Sequence, residues 1–366
     1  MSTITAVYEI FDENPEARAL DVAVEQSHEL PTAVAPDLSL RSLARVVSVE
    51  KQGNGPAIAT IEFPEELAGG ELTQLLILLI GNVSLQDGVR LVDLQISDEL
   101  AAAVGGGPSL GIAGIRAKVK APTRPLLATA LKPVGMPAEA LATMAYELAA
   151  GGLDVIKDDQ GLGNQAWAPY RERVTLVTEA VARANAEHGT SAVYLPAIAG
   201  PGRLFRERAQ LVVDLGADGA LLMPGISGFD RVQEAREIFG PDRPIYAHPS
   251  FLGGFTSSPT HGISPELTYG LLTRLAGADA AIFPSYGGRF SFTPEQCAGI
   301  ADWARRPYAG LAPLLPSPGG GMSIDRVPEL VAHYGNDVLL LIGADLHRGG
   351  DLRGAAERFR AAAESA

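Results

Sequence analysis

The chain has 366 residues, 46% of them hydrophobic and 20% charged, and a net charge of −14. That length accommodates a barrel of roughly 250 residues plus a smaller domain, and the composition excludes a disordered or fibrous chain. The acidic balance argues against a nucleic-acid-binding surface, which needs clustered Lys and Arg, while leaving room for a local site that takes an anionic small molecule.

The N-terminal segment MSTITAVYEIFDENPE has neither the basic start nor the apolar centre of a secretion signal. The longest apolar run, Leu75 to Ile80, is far too short to span a bilayer. A cytoplasmic protein without membrane contact is expected, and the single cysteine, Cys297, is consistent with a reducing compartment. Thr3 to Ile10, Leu43 to Val49, Ala57 to Phe63 and Gly88 to Ile96 predict strands. Pro15 to Ser27 and Gly70 to Gly81 predict helices between them. This mixed order predicts a small α+β domain of ferredoxin-like type over residues 1–120, with Gly105-Gly106-Gly107-Pro108, Gly111 and Gly114 at the join.

A different rhythm follows. Apolar runs recur at Leu126–Leu131, Leu153–Ile156, Ala192–Ala197, Gly219–Met223, Pro244–Ala247, Ala280–Phe283, Leu311–Leu315 and Val338–Ile342. Helical stretches such as Ala138–Ala150, Tyr170–His188, Arg203–Leu215 and Ser264–Ala276 lie between them, and an Ala- and Arg-rich helix from Ala355 to Ala366 ends the chain. Apolar runs without alternation suit parallel strands buried on both faces. Eight such βα units read as a (β/α)8 TIM barrel over residues 121–366.

Barrel enzymes carry their chemistry where strands end, so those ends define the candidates. Strand 1 ends at Lys132. Strand 2 ends in Lys157-Asp158-Asp159-Gln160, which offers oxygen ligands for a hard cation beside an amine. Strand 5 ends at His248, an imidazole near neutrality; His261, further on, is a weaker candidate. The segment after strand 6, Ser285-Tyr286-Gly287-Gly288-Arg289, places a cation on a glycine-containing loop. Gly319-Gly320-Gly321 after strand 7 and Gly343 after strand 8 suit a phosphate, because glycine lets backbone N–H groups approach an anion. The bland readings of these residues are a rim lysine, an acidic loop, a structural histidine and surface turns. Lys157 or Lys132 also suits a Schiff base of the kind barrel aldolases form.

The strand-2 segment GGLDVIKDDQ resembles the metal-site motif of the RuBisCO large-chain family, in which GG, D and KDDE frame the ligands. The α+β domain, the LKP of strand 1, His248 and the glycine turns follow in the family's order. The resemblance implies Mg2+ held by a carbamate on Lys157, by Asp159 and by the residue at Gln160. It implies that Lys132 handles protons at an enediolate, that His248 lies near the substrate, and that Gly319, Gly320, Gly321 and Gly343 bind phosphate. It also implies that Glu25 and Asn82 reach the partner's barrel in a homodimer with shared active sites.

Departures from the family pattern point away from carbon fixation. Gln160 stands in place of a Glu, Val134 in place of a second strand-1 lysine and Pro249 in place of an Arg after His248. Phe283 falls near a histidine position, Arg289 replaces a lysine, and Asp345 puts a carboxylate, which would repel a phosphate, where a phosphate-binding glycine is expected. The pattern is that of the RuBisCO-like proteins (form IV). The implied activity is Mg2+-dependent enolisation of a small phosphorylated sugar or sugar acid. The first expectation is decarboxylation of a branched 3-oxo sugar acid phosphate, of the 3-oxo-isoapionate 4-phosphate type of apiose catabolism. The alternatives are isomerisation of 5-methylthioribulose 1-phosphate in methionine salvage, or a barrel that only binds a sugar phosphate.

Overall fold

A strand whose alternate side chains are apolar needs one covered face, and Thr3–Ile10 fits: Ile4, Ala6, Tyr8 and Ile10 are buried. In the computed structural model, which describes residues 2–30, 33–34 and 40–366, strands β1 (Thr3–Ile10), β2 (Arg45–Lys51), β3 (Ala57–Pro64) and β4 (Val89–Gln95) pair antiparallel in the order β4-β1-β3-β2. The helix Pro15–Glu25 joins β1 to β2 and the helix Leu72–Ile80 joins β3 to β4. The Tyr8 hydroxyl donates to the Leu79 carbonyl at 2.7 Å and ties the second helix to the sheet. This β-α-β-β-α-β order is the predicted ferredoxin-like arrangement.

The second sheet contains β5 (Leu126–Leu131), β6 (Val155–Asp158), β7 (Val193–Leu195), β8 (Ala220–Leu222) and β9 (Ile245–Ala247). After a two-residue strand, β10 (Gly262–Ile263), it continues with β11 (Ala280–Pro284), β12 (Leu315–Gly319) and β13 (Leu339–Leu341). The eight strands run parallel in the order β7-β6-β5-β13-β12-β11-β9-β8. A parallel bridge between Ala197 and Leu221 joins the outer two and closes the barrel. β10 leaves the barrel wall and adds to the edge of the first sheet beside β4, in register Gly262 to Arg90. His261 therefore sits on the seam between the sheets. No helix among the described residues is long and apolar enough to cross a membrane.

Two strands begin later than their apolar runs. Leu153 closes the turn that follows the helix Ala138–Ala150, its N–H bonded to the Leu148 carbonyl, and Asp154 turns to pair with Arg124, so β6 starts at Val155 and takes in Lys157 and Asp158. The seventh strand is Leu315–Gly319, not Leu311–Leu315. Leu311 and Ala312 serve instead as carbonyl acceptors for the buried Arg274 guanidinium.

Alternation within these short strands sets the site. Leu126, Ala128, Val155, Val193, Leu195, Leu221, Tyr246, Ile282, Leu315 and Leu339 form one apolar cluster inside the barrel, plugged from below by Ile112, Ile115 and Val119 of the helix Gly111–Val119. Leu127, Leu131, Ile156, Tyr194, Leu222, Ala247 and Phe283 pack instead in the outer core, with the surrounding helices. Two-residue steps up from the inner cluster reach Lys132 from β5, Lys157 and Asp159 from β6, His248 from β9 and Gly343 from β13.

Candidate active site

Lys157 is only 2% exposed, and its ammonium donates to the Asp158 carbonyl at 3.1 Å. Burial disfavours its charged form and the Lys132 cation works in the same direction; Asp159 and Asp158 oppose them, and the amine pKa falls from 10.5 to about 8. Lys132 pairs with Asp159, Nζ to Oδ1 at 3.0 Å, bridging the ends of β5 and β6. Gly343 reaches the same place from β13: a Cβ built on it would lie 3.8 Å from the Lys132 Cε.

The His248 ring is oriented by Ser250, whose backbone N–H donates to Nδ1 at 3.2 Å and whose hydroxyl lies 2.8 Å from the same atom. An N–H can only donate, so Nδ1 is the acceptor and the neutral ring carries its proton on Nε2. Burial, then Lys157 and Lys132, hold the imidazole well below its ordinary pKa. It is a neutral donor at pH 7.

Several strand-end residues have other roles. Asp158 faces outward and is fully buried. Its carboxylate takes two hydrogen bonds from Arg173, one from the Tyr194 hydroxyl at 2.8 Å and one from the Ala197 N–H at 3.1 Å. With those partners it is a structural anion, so of the two aspartates only Asp159 faces the mouth. Gln160 is exposed. Phe283 faces the helices, packed edge-on against Tyr334, and does not stand in the mouth. Asp345, predicted to repel a phosphate, is engaged: it accepts the Ile324 N–H at 3.0 Å and pairs with Arg348 at 3.1 Å. Glu25 and Asn82 meet each other, Asn82 Nδ2 donating to Glu25 Oε1 at 2.8 Å.

The turn after β12 requires glycine. Gly320 and Gly321 have φ of +95° and +99°. A Cβ on Gly320 would lie 2.7 Å from the Phe290 ring, and one on Gly321 2.9 Å from the Arg289 nitrogen. Arg289 is exposed, lies beside the Phe290 ring and has no ion-pair partner among the described residues. Gly320→Ala should raise KM for a phosphorylated substrate roughly tenfold or more, since a strained backbone of this kind costs about 1–3 kcal/mol. An unchanged KM in steady-state kinetics would remove this turn from the substrate site.

His347 was not among the predicted site residues. It ends the short 3-10 turn Ala344–His347, near enough to Lys132 to feel its charge, and burial together with that cation lowers its pKa. Its Nε2 is buried with no hydrogen-bond partner. Only the position of the turn beside Lys132 reveals it, and no local motif marks it.

Among the described residues, no three His, Cys, Asp or Glu side chains form a metal-binding group. A divalent cation here would draw on Asp159, the exposed amide of Gln160 and a carboxylate made on Lys157. The donor set fits on one condition, that Lys157 can react as a free amine, and its lowered pKa of about 8 brings part of that amine into the free form near neutrality.

The chain is similar to several known proteins. Residues 111–365 match the family of the ribulose bisphosphate carboxylase large chain, catalytic domain. Ribulose bisphosphate carboxylase-like protein 1 of Rhodopseudomonas palustris is 42% identical over 352 residues, 94% of this chain and 92% of its own. The 5-methylthioribulose-1-phosphate isomerase of Rhodospirillum rubrum is 41% identical, covering 90% of this chain and 87% of its own. The crystal structure of a Rubisco-like protein from Rhodopseudomonas palustris superposes with a TM-score of 0.90 at 37% identity, over 100% of this chain and 98% of that one. With that barrel, that strand-2 lysine and these relatives, the chain belongs to the RuBisCO large-chain family, among its RuBisCO-like members.

Proposed function

We propose that the protein is an enolising isomerase of a phosphorylated ketose of the 5-methylthioribulose 1-phosphate type. One observation carries the reading: a buried lysine of lowered pKa, Lys157 on β6, lies two residues before Asp159, which pairs with Lys132 from the neighbouring β5. The isomerase relative, 41% identical, favours this substrate over the branched 3-oxo sugar acid phosphate expected first from the sequence.

In this reading the substrate phosphate seats on Gly319, Gly320, Gly321 and Gly343 with Arg289 above it. A Mg2+ held by a carbamate on Lys157, by Asp159 and by Gln160 would polarise the substrate carbonyl and acidify the neighbouring C–H. Lys132, a cation while paired with Asp159, must first part from it and give one proton to solvent; its neutral Nζ then accepts the C–H proton, and the C–H electron pair becomes the double bond of an enediolate. His248 donates its Nε2–H to an enediolate oxygen. Lys132 returns the proton to the adjacent carbon, so the product is an isomer with no atom gained or lost. The Glu25–Asn82 pair belongs to the same proposal, as the part of a homodimer that completes the partner's mouth; so does a cytoplasmic location.

The test is proton NMR in D2O with Mg2+ and bicarbonate, using 5-methylthioribulose 1-phosphate. Deuterium exchange that requires Mg2+ and falls about 10²–10⁴-fold in Lys132→Ala is the expected result. No exchange would overturn the reading. Loss of CO2 from a 3-oxo sugar acid phosphate in a parallel assay would reassign the enzyme as a decarboxylase. Mixing inactive Lys157→Ala and Asn82→Ala proteins should recover activity if mouths are shared, because a mixed dimer holds one intact site.

A further inference from the structure

The 3-10 turn Ile324–Arg326 follows the triple-glycine turn and touches both neighbouring loops. Toward the loop after β11, Arg326 Nη1 donates to the Tyr286 carbonyl at 3.1 Å, and the guanidinium stacks 5.2 Å from the Tyr286 ring centre. It lies so close under Gly287 that a Cβ there would come within 2.9 Å of it. Glu329 grips the other side of the same guanidinium with both oxygens, at 3.0 and 2.9 Å. Those bonds, then one from the Tyr286 hydroxyl, hold the Glu329 carboxyl at about 2, so the grip persists at any physiological pH. Toward the loop after β13, the Ile324 N–H donates to Asp345.

The loops so joined are the ones that would meet a phosphate. Beyond the Arg326 contact, the Arg289 N–H bonds the Gly320 carbonyl at 3.0 Å, and the Ser285 N–H bonds the Gly319 carbonyl at 2.8 Å. On the other side Asp345 fixes the turn that starts at Gly343. The turn thus adds a side-chain link to the direct backbone bonds between Arg289 and Gly319–Gly321, and ties the glycine turn to the loop that starts at Gly343.

We propose that this turn is the junction that sets the phosphate cradle, with Arg326 and Asp345 as its positioning residues. The inference rests on the phosphate-binding part of the proposed function. It gives Asp345 the opposite sign from simple charge repulsion: the carboxylate supports anion binding by holding the loop after β13 in place.

Titration calorimetry with inorganic phosphate, on the full chain with Mg2+ and bicarbonate, tests it independently of turnover. Arg326→Ala and Asp345→Ala should each weaken phosphate binding about tenfold. Asp345→Asn keeps an acceptor for the Ile324 N–H and should lose less, and Arg326→Lys should lie between wild type and alanine. The double alanine variant should lose less than the product of the single losses, because each breaks the same junction. In kinetics, KM should rise while kcat changes little. Tighter phosphate binding in Asp345→Ala would restore the repulsion reading and overturn the junction. So would independent losses that multiply, no change in any variant, or no phosphate binding by the unaltered protein. If an alanine variant fails to fold by circular dichroism, the Arg326→Lys and Asp345→Asn pair carries the same comparison. Intact phosphate behaviour without turnover would overturn the enolising activity alone.

Discussion

Lys157→Ala is expected to abolish turnover, by roughly 10³-fold or more, and to remove the 13C carbamate resonance that 13C-bicarbonate should give in the unaltered protein. Among the described residues, no other combines burial inside the barrel, a lowered amine pKa and a place beside Asp159. Carbamylation needs the neutral amine, so activation by CO2 should rise with pH through about 8, where the amine loses its proton. Lys157→Met should be equally inactive yet more stable. A buried amine whose pKa drops from 10.5 to about 8 costs the folded protein roughly 3 kcal/mol below pH 8. The sign follows from proton counts. Between about 8 and 10.5 the unfolded chain holds the proton and the folded chain does not, so stability rises with pH across that window. Lys157→Met should flatten that rise, as read from thermal unfolding at several pH values. A Lys157→Ala protein that keeps full activity would exclude a carbamate mechanism.

The segment GGLDVIKDDQ pointed to the lysine that the barrel buries on β6, but the direction each residue faces was not legible. A strand buried on both faces shows no polar alternation, and strands of three to five residues leave the phase of the pleat undefined. Hence the strand-end spacing left the adjacent aspartates alike, and only the family resemblance singled out Asp159; Asp158 faces Arg173 and Asp159 faces the mouth. Phe283 looked like a mouth residue for the same reason. The seventh strand escaped because its sequence is Leu-Pro-Ser-Pro-Gly, with two prolines that offer no N–H to a ladder. It survives as a strand because β11 pairs with it along its length, while only Gly319 pairs with β13. The glycine turns were legible, since positive φ leaves its mark on sequence. The link from Asp345 to Ile324 spans 21 residues between two loops and has no local signature. His347 is hidden likewise, its role resting on where β13 ends relative to β5.

Arg173→Leu should cost about 3–5 kcal/mol in denaturant unfolding, the largest stability loss in the barrel, because it strands a buried carboxylate. Arg173 has no exposed surface. Beyond its two bonds to Asp158, at 3.1 and 3.2 Å, it donates to the carbonyls of Gly163 at 2.8 Å and Ala168 at 3.0 Å, which hold the loop following Asp159 and Gln160. Burial already pushes the Asp158 carboxyl upward, and Arg173 is the largest influence holding it down. Removing the guanidinium lets the pKa climb further above its unfolded value. Such a group is most favourable when protonated, so the variant should be relatively more stable in acid and lose stability as pH rises past the ordinary carboxylate range. Arg173→Lys keeps the charge without the planar fork and should recover part of the loss. Asp158→Asn combined with Arg173→Leu should cost less than the two separate losses added together, since the pair is removed as a unit. Strict additivity would mean that Arg173 acts through the loop carbonyls alone. In that case Arg173→Leu, and not Asp158→Asn, should also weaken Mg2+ binding through the displaced loop, and magnesium titration of the two variants separates these outcomes.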